Sequence, residues 1–254
     1  MVYFLIVPVL LVYFSLIFII SKKHNRLDFI DVGWGGGFII VAIISYFSSK
    51  TYLSLIVLGL SIIWASRLSY YIFQRFRIKG ADQRYLELSQ KWTTTNFWLS
   101  AYFKLFLNQA LLVLIISLPI SLASFSKHFD LSLIIIGLVI FTSGYIIELI
   151  ADQQLKSYLH QPLSLRPKIC NNGLWRYSRH PNYFGEITLW FGLATLTQNF
   201  HGIRLIGYLG PVVLAFLIIK VSGIPPIENK RQNNLEYLKY SKTTNKLIPW
   251  FNKH

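Results

Sequence analysis

The chain has 254 residues, of which 54% are hydrophobic, 16% aromatic and only 14% charged, with a mean hydropathy of +0.47. A soluble domain carries about a quarter charged residues, so a water-soluble globular fold is excluded and an integral membrane protein is expected. The formal net charge is +15, which could suggest nucleic acid; in a membrane chain the placement of the charge decides. Cys170 is the single cysteine, which excludes an internal disulfide and a multi-cysteine metal site. The six histidines, His24, His128, His160, His180, His201 and His254, show no ligand spacing, so no metal is expected.

A helix crossing the hydrocarbon core needs about 20 mostly apolar residues. Taken in order, the runs of that kind are Val2–Ile20, Val32–Phe47, Leu53–Phe73, Tyr102–Leu122, Leu131–Ile150, Tyr183–Thr197 and Leu205–Val221. The expected architecture is all-α: a single polytopic membrane domain over 1–254, with about seven transmembrane helices, the sixth of them short. No cleavable signal is expected, because Val2–Ile20 is long enough to span and no small-residue cleavage site follows it. A basic loop joins the third run to the fourth, and Asn108 and Gln109 in the fourth suit interhelical hydrogen bonding. Gly35-Gly-Gly37 lies inside a span, and no glycine-rich dinucleotide fingerprint occurs.

Basic residues orient the bundle. With the N-terminus outside, the loops 21–31, 74–100 and 151–182 and the tail from Lys220 face the cytoplasm and hold twenty of the 25 lysines and arginines. Only Lys50, Lys127 and Arg204 fall on the other side, and Arg67 and Lys104 lie within spans. The positive-inside rule is met at every loop. That accounts for the basic balance without nucleic acid, and it puts the C-terminus in the cytoplasm.

The densest chemistry lies in Gly173-Leu-Trp-Arg-Tyr-Ser-Arg-His-Pro-Asn-Tyr-Phe-Gly-Glu186. Proline suits the first turn of a helix and pushes the residue before it out of the helical region, so a helix should start at Pro181 with His180 outside it. Asn182 and Glu186 then share a face. The free N–H groups and positive dipole end meet Arg176, Arg179 and His180, which makes a site for a phosphate or carboxylate; the plainer alternative is a basic loop before another apolar helix. Upstream, Glu148, Asp152 and Lys156 recur every four residues and form one stripe. They suit either an intrahelical ion-pair ladder or a surface that accepts hydrogen bonds from amide and ribose groups while the lysine faces phosphate. Asp31 and Trp34 lie one turn apart at the mouth of the second helix, as a helix-end acid and an interfacial tryptophan or as part of a site. In the tail, Gly223-Ile-Pro-Pro-Ile-Glu228-Asn229 breaks the last helix, and Leu235–Tyr240 is amphipathic, the pattern of a basic helix resting on anionic headgroups.

The signature stretch resembles that of the steroid 5α-reductase-like membrane proteins, especially a bacterial branch long described as a domain of unknown function. Asp31-Val-Gly-Trp34-Gly, Glu148-Leu-Ile-Ala-Asp152 and Leu247-Ile-Pro-Trp-Phe251 fit the same branch, and the C-terminal-like region covers 143–254. The Arg-His-Pro-Asn-Tyr core is also similar to that of isoprenylcysteine carboxyl methyltransferases. The resemblance implies an NADPH-dependent reductase of a lipophilic α,β-unsaturated carbonyl compound, steroid- or polyprenoid-like, in a membrane, for this branch the bacterial inner membrane. It implies a cofactor wall of Glu148, Asp152, Lys156, Arg176, Arg179, His180, Asn182, Tyr183 and Glu186, with Glu228 and Asn229 near its mouth where the tail folds back. Lys156 stands where the animal enzymes usually carry arginine, and the tail lacks the histidine and tyrosine found near Glu228 in those reductases. By the same resemblance Asp31 falls near the acid that orients the enone, and Tyr70 or Tyr71 near the proton-supplying tyrosine, with Tyr70 the first choice; either tyrosine also suits an interfacial aromatic belt. The expected partners are a lipophilic small molecule and membrane lipids. The competing reading is S-adenosylmethionine-dependent methylation of a lipid-type acceptor, whose pattern shows two adjacent glutamates where this tail has Glu228 alone.

Overall fold

The computed structural model describes residues 2–78, 85, 87, 89–90, 92, 96–125, 130–162, 164–198 and 205–251. Of the basic residues that orient the bundle, Lys79, Arg84, Lys91, Lys127, Arg204 and Lys253 lie outside the described residues, as do His128, His201 and His254. The chain forms two compact units, Met1–Phe129 and Asp130–His254.

In the first unit α1 (Val2–Lys23) packs on α2 (Phe29–Ser49), which packs on α3 (Tyr52–Ile78). Both hairpins turn on non-glycine residues in the left-handed region, Asn25 at φ 52° and Lys50 at φ 52°. The Lys50 N–H caps α2 by donating to Tyr46 O at 2.7 Å. At the first turn Arg26 grips Asp28 through two bonds of 3.0 and 2.7 Å, with its guanidinium 3.7 Å over the Phe76 ring. Phe14, Phe38, Trp64 and Phe106 are fully buried, and Trp64 meets Phe38 edge-on at 5.4 Å.

The fourth helical stretch, α4 (Phe97–Ile116), is displaced from the expected run Tyr102–Leu122. It starts five residues earlier and passes through a π turn at Tyr102–Phe106. It stops at Ser117 because Pro119 has no N–H to continue the ladder; the short α5 (Leu118–Leu122) follows. Asn108 is exposed, so it is not buried between helices of this unit.

The second unit is built on α6 (Leu131–His160) and α7 (Pro181–Leu196). Asp130 caps α6 by accepting from Ser132 N at 3.0 Å and Leu133 N at 3.4 Å. Glycines let the two helices touch backbone to backbone. A Cβ on Gly144 would lie 2.5 Å from Leu189 N, and one on Gly185 would lie 2.5 Å from Glu148 N. Next come α8 (Leu209–Phe216), continued by a π turn at Leu217–Val221, then α9 (Ile224–Asn229) and α10 (Leu235–Thr243). Asn234 caps α10 by accepting from Glu236 N and Tyr237 N.

Among the described residues, six helical stretches are long and apolar enough to cross a membrane: Val2–Lys23, Phe29–Ser49, Tyr52–Arg77, Phe97–Ile116, Leu131–His160 and Leu205–Asn229. At 16 residues α7 falls short of a span, in keeping with its short apolar run. Among the described residues no strand occurs beyond one isolated parallel bridge, Ser178 with Asn245.

Candidate functional site

The signature stretch is stapled to α6 before it reaches α7. Gly173 takes φ 55°, and any side chain there would collide with Gln154. Gln154 Oε1 accepts from Leu174 N at 2.9 Å, and the buried Trp175 donates its Nε1–H to Ala151 O at 3.0 Å. The loop then meets the tail. Ser178 Oγ accepts from His180 N at 3.1 Å and donates to Leu247 O at 2.6 Å, and Arg179 N donates to Asn245 O at 2.9 Å. Tyr240 donates its O–H to the carbonyl of Trp175 and, at 3.3 Å, to that of Ser178. Burial pushes the Tyr240 phenol up, so it stays a donor. Helix α7 begins at Pro181 with His180 non-helical before it, as the proline dictates.

Two acids anchor the polar cluster that this scaffold presents. Asn182 Nδ2 donates to Asp152 Oδ1 at 3.3 Å, joining α7 to the α6 stripe. Along that stripe Glu148 is 3% exposed and Asp152 6%, while Lys156 is exposed. The second acid, Glu228, comes from α9. Its Oε1 lies 3.1 Å from Arg179 Nη1 and 3.2 Å from His180 Nε2 and accepts from Tyr237 O–H at 3.3 Å; its Oε2 lies 3.7 Å from Lys246 Nζ. Burial drives His180 down from the ordinary histidine value to about 4, against the opposing pull of Glu228. The ring is therefore neutral near pH 7 and donates Nε2–H to the carboxylate. Tyr183 stacks on it at 5.8 Å. Two buried polar atoms of the cluster have no hydrogen-bond partner among the described residues, the donor Arg179 Nε and the acceptor Asn182 Oδ1.

Arg179, His180, Asn182, Tyr183, Asp152 and Glu228 are thus brought together, with Glu148 one turn from Asp152 and Glu186 half-buried one turn beyond Asn182. Arg176 and Lys156 are exposed. Asn229 is exposed and accepts from Gln232 in the turn after α9. Sequence reasoning missed Gln154, Ser178, Tyr237, Tyr240 and Lys246. The available signal was the Tyr237/Tyr240 pair, spaced to share one face of an amphipathic helix.

In the first unit Asp31, in the opening turn of α2, accepts a hydrogen bond from the phenol of Tyr85, a residue that sequence reasoning did not select. Tyr70 is 64% exposed. One turn beyond Asp31, Trp34 packs edge-on against Phe38 at 4.8 Å, and its buried Nε1–H has no acceptor among the described residues.

Fold and composition define an all-α polytopic integral membrane protein. The chain belongs to the family described as Protein of unknown function (DUF1295), which matches residues 17–244 and is the steroid 5α-reductase-like family that the signature stretch resembles. It is also similar to the steroid 5-alpha-reductase DET2 of Solanum lycopersicum, with 40% identity over 73 residues, 29% of this chain. That match spans 28% of the length of the tomato protein. No solved structure matches the chain.

Proposed function

We propose that this protein is a membrane reductase that uses NADPH to saturate the C=C bond of a lipophilic α,β-unsaturated carbonyl compound. The observation that carries the reading is the pair of buried, unpartnered polar atoms at the start of α7, Arg179 Nε and Asn182 Oδ1. Because Asn182 Nδ2 is committed to the Asp152 carboxylate, its oxygen is fixed as an acceptor. A dinucleotide satisfies both atoms: phosphate oxygens accept from the guanidinium, and amide or ribose groups donate to the asparagine. Lys156 adds a cation suited to the extra phosphate of NADPH, and the Glu148/Asp152 pair adds acceptors. The residues therefore fit the cofactor, which when bound supplies the hydride. The distribution of basic loops supports a cytoplasmic aspect for this wall, where NADPH is found.

On the acceptor side Tyr70 is carried forward as the proposed donor and Asp31 as the acid that orients the carbonyl; the single phenol proton of Tyr85 is already given to Asp31, so Tyr85 positions that acid. As hydride reaches the β-carbon, negative charge gathers on the substrate carbonyl oxygen, and an O–H donor in an apolar setting stabilises it strongly; a proton then completes the α-carbon.

The test is incubation of the purified full-length chain with NADPH tritiated at the nicotinamide C4 and a panel of lipid enones. Tritium should appear at the β-carbon of at least one product. Label that stays in NADPH across the panel, with methyl transfer from S-adenosylmethionine instead, overturns the reading. Arg179→Ala should weaken NADPH binding by roughly 10- to 100-fold, the range for a lost charge-assisted contact. Tyr70→Phe should leave NADPH binding intact and lower turnover by about a hundredfold.

A further inference from the structure

The C-terminal segment has an outward side that the polar wall does not use. Helix α10 carries three distinct stripes. Tyr237 is buried inward. Glu236, Lys239, Tyr240 and Thr243 line a cleft of about 650 Å³, whose opposite side is formed by the loop residues Lys168 and Arg176. Leu235 and Leu238, 75% and 40% exposed, lie on the third stripe with the exposed Lys242. The strand of chain after α10 turns three more apolar side chains outward: Ile248, Trp250 and Phe251 are 60%, 68% and 75% exposed. This is a held surface and not a loose end, because Trp250 N donates to Tyr177 O at 3.3 Å and Asn245 Nδ2 to Trp250 O at 3.2 Å.

We infer that this surface docks on anionic phospholipid, with the lipid phosphate in the Lys168–Arg176–Lys239 cleft and the tail aromatics among the headgroups. Three cations line the cleft against one acid, Glu236, which is bonded to Lys168 at 2.8 Å. The charge therefore suits a phosphate-bearing group. Exposed leucine, tryptophan and phenylalanine beside that charge have no use for a free phosphate in water, whereas together they make up the composition of an interfacial segment. The last apolar stretch ends at Asn229, with five residues between it and α10, so a span ending there leaves this segment at the bilayer surface. Tyr240 forms a partition, its ring lining the cleft and its O–H turned inward to the Trp175 and Ser178 carbonyls. The inference is thus independent of the proposed reaction.

The experiment uses the full chain in lipid nanodiscs of phosphatidylcholine, with or without phosphatidylglycerol. A nitroxide is placed at Trp250→Cys; the native Cys170 is buried, with its thiol pushed up to about 11, and stays unlabelled. The label should become accessible to oxygen and shielded from a water-soluble nickel quencher when phosphatidylglycerol is present. In parallel, short-chain phosphatidylglycerol should bind the detergent-purified wild type and bind Lys168→Gln/Lys239→Gln about 30-fold more weakly, at roughly fivefold per cation near an anionic lipid. A label equally open to the nickel quencher in both bilayers overturns the proposal. So does equal binding by the double variant, or glycerol phosphate competing as well as the lipid, which would make the cleft a free-phosphate site.

Discussion

The α6–α7 pair and the tail strap both position the same polar wall, but by opposite means. The helix pair is chiefly a contact of backbones: Gly144 and Gly185 bring two helices so close that the stripe of Glu148 and Asp152 lies against α7, where Asn182 bonds Asp152. The strap is a contact of side chains, in which Glu228, Tyr237, Tyr240 and Lys246 reach the signature loop through hydrogen bonds and ion pairs. Backbone packing has no slack, since interiors are packed as densely as crystals. Side-chain bonds to a half-exposed loop are individually worth about 1 kcal/mol and are answerable to pH. The wall therefore has one rigid side and one that can be loosened by degrees.

Breaking the rigid side should have the largest effect. Gly185→Leu drives a side chain into the backbone at Glu148, so folded, monodisperse protein should be lost in detergent; size-exclusion and melting profiles that match the wild type would show that the helices are not in contact. A smaller effect comes from acid. His180 is held neutral down to about pH 4, whereas the unfolded chain takes up a proton there near pH 6.5. Between those values the unfolded state binds more protons, so stability should fall as pH drops through that window, by up to about 3 kcal/mol, and gain nothing from this group above it. Melting followed against pH in wild type and His180→Gln checks this, since the variant should lose most of the slope. Smallest is Tyr240→Phe, which removes one phenol O–H from two carbonyls and should cost about 1 kcal/mol in the same melting assay. If it costs as much as Gly185→Leu, the distinction between the two sides fails.

The same contrast explains what was legible in the sequence. The rigid side rests on spacings within one helix: the four-residue steps of Glu148, Asp152 and Lys156, and a helix start fixed by Pro181. Local periodicity reports such features directly. The strap rests on partners 48 to 69 positions apart, His180 with Glu228 and Ser178 with Leu247, and no local pattern encodes that pairing. The Tyr85–Asp31 contact spans 54 positions and was hidden for the same reason. The fourth helix was misplaced because a hydropathy window averages over Pro119 and sees apolar residues on both sides of it.

The parallel bridge between Ser178 and Asn245 also sets an order of events during synthesis. A ribosome delivers Ser178, Arg179 and His180 well before Glu228 and Asn245, an interval on the order of seconds at ordinary elongation rates. The hydrophobic helices can enter the bilayer in that interval, but the Arg179 N–H and the Ser178 O–H reach their acceptors only when the chain has delivered Asn245 and Leu247. Vectorial synthesis thus makes this wall one of the last parts of the molecule to close, after the membrane has already accepted the protein.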